Sequence, residues 1–182
     1  GGSPGVAWTG GTVFTATAPA SFGNCSGYQV SSVNLNFNHT WDSDLLIYIR
    51  NRRTGQVLGL SFANGGSNDN FTNTKFCDNA ACSPITAGAA PFSNTFRPQG
   101  AGGFICGTSP TATLSTVASL AVVPNDVLEL IFYDQAGGDS GPMLSWSVVM
   151  AANPVLPVIP AAVTVSFAPG TCVPSPVACL SV

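Results

Sequence analysis

The chain has 182 residues, 45% of them hydrophobic and only 7% charged, with a net charge of −3. That charge fraction lies far below the ~25% of ordinary soluble domains, and five basic residues against eight acidic ones argue against a nucleic-acid partner. The most apolar tract, AANPVLPVIPAAVTVSFA, is interrupted by Pro154, Pro157 and Pro160, so no membrane span of ~20 unbroken apolar residues is expected.

Period-two alternation runs through the chain and helical periodicity is almost absent. TVFTAT (12–17) reads as a first strand. In VNLNFNH, Val33, Leu35 and Phe37 face one way and Asn34, Asn36 and Asn38 the other, the pattern of a half-buried strand. DLLIYIR (44–50) is apolar on both faces, as in a central strand, and QVLGLSF (56–62) pairs with it across the turn Arg53-Thr54-Gly55. Arg52 and Arg53 read as solvated turn residues. Residues 63–111 are rich in Gly and Asn, with Phe71, Phe76, Phe92 and Phe96 as aromatic anchors. That stretch is too long for a structureless connection, so a ligand, metal or cross-link should organise it. ATLSTVASLAVV (112–123) is expected to add more β-structure. DVLELIFYD (126–134), with Glu129 at its surface, and MLSWSVVM (143–150) read as adjacent strands joined by QAGGDSGP. Many short strands with Gly/Asn turns predict an all-β fold, a β-sandwich or jelly roll, over residues 1–150. Residues 151–182 form an apolar, Pro-rich extension carrying one extra strand, AAVTVSFA (161–168), with Val163, Val165 and Phe167 on one side.

Six cysteines, an even number without a CxxC metal pair, point to disulfides and an extracellular or cell-surface location. Of the fifteen possible connectivities, Cys77–Cys82 and Cys172–Cys179 each close a short loop, which leaves Cys25–Cys106 to join distant segments; Cys25 or Cys106 could instead be free or pair between chains. Asn24, Asn38 and Asn70 each open a glycosylation sequon.

Residues 138–142 read GDSGP and look like the segment around the nucleophilic serine of chymotrypsin-like proteases. A nucleophilic serine needs an imidazole base. The single histidine, His39, lies in NLNFNHTWDSD, without the Ala-Ala-His-Cys setting of those enzymes, and the serine motif is one glycine short. A turn explains GDSGP better, through the positive φ of glycine and the capping habit of Asp and Ser. The expectation is a chain without catalytic residues. His39 reads as a hydrogen-bonded structural residue, and Trp41 and Trp146 as core anchors.

Six of the eight carboxylates cluster near turns. Hard oxygen ligands suit calcium, and a site is expected from Asp42, Asp44, Asp69 and Asp78, completed by Asn70 or by backbone carbonyls. Asp134 and Asp139 make a second, weaker candidate.

HTWDSDLLIYI (39–49), NGGSNDNFTNTKF (64–76), APFSNTFRPQG (90–100) and YDQAGGDSGPMLSWSVVM (133–150) together resemble the P domain, or P/Homo B domain. This β-sandwich follows the catalytic domain of kexin- and furin-like proprotein convertases, and the likeness is nearest to its bacterial versions. It covers roughly residues 20–150. The resemblance implies calcium in this kind of loop and a turn, not a triad, at GDSGP. The chain departs from the family pattern at PNDVLELIFYD, where a Gly-x-Trp-x-Leu strand is usual, and at Cys77 and Cys82.

The expected function is a secreted, non-catalytic structural subunit, stabilised by calcium and disulfides, that assembles with identical subunits into extracellular filaments or a surface layer. Its uncharged tail would either fold back on its own sandwich or, as the assembly requires, add as a strand to the open sheet edge of the next subunit. A carbohydrate- or protein-binding accessory module is the alternative.

Overall fold

The computed structural model describes residues 3–20, 25–102 and 110–154, with the side chains of all but 25, 26 and 152–154. Among the described residues nine strands form two sheets. β1 (Thr12–Thr17), β3 (Leu45–Asn51), β4 (Val57–Phe62) and β8 (Val127–Asp134) make a four-stranded sheet in the order β1-β8-β3-β4. β2 (Cys25–Phe37), β5 (Phe71–Phe76), β6 (Ser83–Pro84), β7 (Thr95–Arg97) and β9 (Met143–Pro154) make a five-stranded sheet in the order β6-β7-β5-β2-β9. Pairing is antiparallel except where β7 meets β5 and β6. The all-β sandwich expected from the alternation is therefore present.

The expected hairpin of β3 and β4 is also present. Two other expectations fail. The strands on either side of QAGGDSGP are not neighbours: β8 lies between β1 and β3 in one sheet, and β9 pairs with β2 in the other. Both edges of β8 are occupied, so the chain crosses between sheets at this turn. Residues 112–123 hold no strand. Ala112, Leu114 and Val122 make isolated bridges, and a 3-10 turn spans Val117–Ser119. Here the Asp78 carboxylate accepts from the Val117 and Ala118 N–H groups, each at 2.8 Å, which leaves Val117 and Leu120 to enter the core.

A row of aromatic rings crosses the sandwich. Phe14 meets Phe132 edge-on, Phe132 meets Phe37 across the sheets at 4.9 Å, Phe37 stacks on Phe71 at 4.9 Å, Phe71 on Phe92 at 4.5 Å, and Phe92 meets Phe96 at 5.9 Å. These offset and edge contacts are the favoured ring geometries. The row also organises residues 63–102: Phe71, Phe76, Phe92 and Phe96 are all buried, and Cys77 and Cys82 form a disulfide. Of the other proposed cross-links, Cys106, Cys172, Cys179 and the Cys25 side chain lie outside the described residues, as does the expected strand of Val163, Val165 and Phe167.

Of the turn residues expected to be solvated, Arg53 is exposed and Arg52 half-buried, and both are ion-paired; Glu129 of β8, expected at the surface, is not there. Glu129 is fully buried. It accepts from Arg50 Nη1 and Arg52 Nε, and from the Trp8 N–H. Arg50 also donates to the carbonyls of Ser3 and Val6, and its guanidinium lies 5.7 Å over the Trp8 ring. The N-terminal segment is thereby strapped across the outer face of the four-stranded sheet. Burial raises the Asp126 carboxyl, but hydrogen bonds from Arg53, Asn51 and the Val123 N–H outweigh it and hold the group below its ordinary value. A buried carboxylate is tolerable only when paired in this way.

Trp41 is 43% exposed and is not a core anchor, whereas Trp146 is half-buried against the core. Replacing Phe71 by Ala should cost ~3–5 kcal/mol in urea denaturation, and replacing Trp41 by Ala should change stability by less than ~0.5 kcal/mol.

Candidate functional site

Two neighbouring features sit at one end of the sandwich, where β2 hands over to β3 and β8 to β9. The first is built on Asp42. A 3-10 turn, Asp42–Asp44, leads into β3, and residues 63–70 wrap over it. The Asp42 and Ser43 N–H groups donate to the carbonyls of Asn68 and Gly66 at 2.9 and 3.1 Å. Asn70 locks the other side: its N–H donates to Asp42 Oδ1 at 3.0 Å, and its Oδ1 accepts from the His39 N–H at 3.0 Å. Gly65, at φ +102°, is required twice over, because a Cβ there would stand 2.6 Å from Asp42 Cβ and 3.3 Å from Oδ2.

Asp42 is fully buried, and its Oδ2 has no hydrogen-bond partner. Burial raises its pKa to about 7; the Asn70 N–H and His39 pull the other way, and Asp69 adds to the rise. An orphaned, buried carboxylate oxygen beside a glycine that no side chain can replace is a fit for a cation. Of the residues expected at the metal, Asp42, Asp69 and Asn70 come together. Asp78 does not, because both its oxygens are committed to the 3-10 turn at Val117. Asp44 is half-buried and turns its carbonyl to the Gln135 N–H. Among the described residues no three His, Cys, Asp or Glu side chains converge as a metal-ligating group, so backbone carbonyls would have to supply most of the ligands.

The second feature is a cleft of ~190 Å³ lined by Phe14, Phe37, Phe132 and Met143, with His39, Asp134, Asp139 and Ser140 among its polar groups. The weaker metal pair, Asp134 and Asp139, therefore shares one cleft. Asp139 Oδ1 accepts from Thr40 Oγ1 at 2.8 Å, and Asp134 Oδ2 lies 3.6 Å from His39 Nε2. His39 and Ser140 line the same cleft. His39 nevertheless turns Nδ1 to the Trp41 carbonyl at 3.0 Å and Nε2 to Asp134, so both ring nitrogens face groups other than Ser140. The glycine after Ser140 has a packing reason: a Cβ on Gly141 would collide with the Asn38 carbonyl at 1.9 Å.

Of the sequons, Asn38 is exposed, Asn70 is half-buried with its Oδ1 engaged by His39, and Asn24 lies outside the described residues.

A raised pKa means that the folded state holds a proton that the unfolded state, at 3.8, has lost. This contribution is fully present below pH 3.8 and is lost as pH rises toward about 7. In chelator-treated protein, stability should fall across that window. Asp42→Asn keeps an acceptor for Asn70 and should flatten the slope, as read from melting temperature against pH.

Compared with protein-family models, with curated proteins and with solved structures, the chain has no significant match.

Proposed function

We propose that this chain is a secreted, non-catalytic structural subunit that assembles with identical copies into extracellular filaments or a surface layer. One observation carries the reading: the fold consumes its own charge. Arg50 and Arg52 are spent on Glu129 and the exposed Arg53 on Asp126, which leaves Lys75 and Arg97 as the cations outside these ion pairs. A surface with so little free charge has little electrostatic repulsion to keep copies apart. The uncharged residues 155–182 add Val, Leu, Ile and Phe that need burial. The Cys77–Cys82 disulfide fits an oxidising compartment, and among the described residues no helix is long and apolar enough to cross a membrane.

The P-domain resemblance of residues 20–150 supports a module that accompanies other activities and performs no chemistry itself. The partners of His39 support the same view, since an imidazole engaged by Asp134 and Trp41 is not placed to take a proton from Ser140. Calcium is the cofactor this reading assigns, held by Asp42 Oδ2 with Asp69 and carbonyls of residues 63–70, where it would neutralise a buried carboxylate. A second reading, an accessory module that binds a carbohydrate or protein, is favoured by the aromatic-floored cleft and the exposed Trp41 beside it in sequence.

The test compares the full chain with residues 1–154, which keep β9 whole, in calcium under oxidising conditions. Large oligomers from the full chain and monomer from the truncated one are expected by sedimentation and electron microscopy; a full chain that stays monomeric at high concentration gives way to the accessory-module reading. Calcium should raise the melting temperature of the native chain and not that of Asp42→Asn. A fluorophosphonate probe should leave Ser140 unlabelled, and labelling would make the chain a hydrolase.

A further inference from the structure

We propose that the outer edge of β9 is the acceptor in this assembly and that residues 161–168 of a second copy add to it as a sixth strand of the five-stranded sheet. The inference rests on the assembly reading above and names its contact.

β9 ends its sheet. Its register runs from Cys25↔Pro154 to Phe37↔Met143 with β2, and its other edge has no pairing partner among the described residues. The other sheet ends differ. β4 is covered by bridges from Gly100 and Leu114 and by N–H groups of Gln99, Thr113 and Leu114 that donate to carbonyls of β4. β6 is two residues long. β1 is open among the described residues but has six residues, against twelve in β9. Natural edge strands are usually blunted by short length, lysines, prolines or bulges. β9 carries no charge and its proline comes at the last position; the register shifts near Gly27 and Ser32 place the extra residue in β2, and the one shift that bulges β9 itself, at Leu144, lies at its start. β9 therefore runs regularly from Ser145 to its end. Leu144 and Val149 stand 55% and 48% exposed along it.

The two faces of β9 match the proposed donor. Met143, Trp146, Val148 and Met150 are half-buried against the core. Ser147 lies on the opposite face, where its Oγ accepts from Asn34 Nδ2. In the donor, Val163, Val165 and Phe167 alternate with Thr164 and Ser166. A strand added in register continues the apolar row on one side and the hydroxyl row on the other. Thr12 and Phe14 of β1 and Met143 of β9 line the same cleft, so the apolar side of the donor would cover the gap between the two open edges. The spacing Pro154, Pro157, Pro160 favours an extended arm over the reversal that a hairpin onto the chain's own edge demands. Donor and acceptor are different surfaces, so the contact is head-to-tail and propagates.

The experiment uses the full-length chain in calcium under oxidising conditions. Leu144→Lys with Val149→Lys blocks the acceptor at exposed positions, and Val165→Lys blocks the donor. Each variant alone should sediment as a folded monomer with the native melting temperature. The two mixed should form a 1:1 heterodimer and nothing larger, because one intact donor meets one intact acceptor. Amides of β9 should exchange at least ten-fold more slowly in native assemblies than in either variant. Assemblies that persist in the acceptor variant, with β9 amides still exchanging fast, would place the contact elsewhere and overturn the inference while leaving the assembly reading intact. A native chain that is monomeric with β9 already protected would show residues 161–168 on their own edge and overturn both.

Discussion

The row of stacked and edge-on phenylalanines is the constraint on which the rest of this fold depends. Phe132 belongs to one sheet and Phe37 to the other, and their contact is where the two layers register. Phe71 and Phe92 extend the row into the long segment after β4. That segment has few strands and many glycines, so without buried rings it would have little to offset the entropy of ordering it. The candidate cation site hangs on the same row. His39 follows Phe37 by two residues, Asn70 precedes Phe71, and a Cβ on Gly65 would press on both Phe92 and Asp42. The loop around Asp42 is thus held at both ends by aromatic packing.

Charge is distributed to a different logic. The few basic residues are used to neutralise Glu129 and Asp126, and through Arg50 to fasten the N-terminal segment over a sheet face that would otherwise be bare. Trp8 completes that cover by donating its indole N–H to the Tyr133 hydroxyl at 3.0 Å. Asp42 alone among the buried carboxylates lacks a basic partner of this kind, and desolvation therefore dominates its protonation. Paired carboxylates serve stability here, and the unpaired one marks the place where a cation would be useful.

The sandwich is also asymmetric in how it treats its edges. One side is closed by Gln99, Gly100, Thr113 and Leu114 against β4, and on the other side β1 and β9 are open among the described residues, above a shared cleft. An open, uncharged twelve-residue edge is uncommon in proteins that work as isolated monomers. The proposed contact between copies rests on that asymmetry.

The alternation of Val33, Leu35 and Phe37 against Asn34 and Asn36, and the doubly apolar run of β3, made the all-β class legible from the residues alone, because side-chain period is set by local geometry. The β3–β4 hairpin was legible for the same reason, through a short turn. The Cys77–Cys82 bond was legible from its short loop. The placement of β8 and β9 in different sheets was not, since strand partners depend on which edges are already taken. Glu129 reads as a surface residue until the fold brings Arg50, Arg52 and Trp8 to it from distant positions. Asp78 reads as a ligand beside Asp69 until the turn at Val117 claims it. The meeting of Ser140 with His39, and the choice of Asp134 and Trp41 as partners of the imidazole, likewise arise from long-range packing. Local pattern determined the elements and their faces; tertiary structure alone decided which charges were buried together, because desolvation and ion pairing act between residues that the chain order keeps far apart.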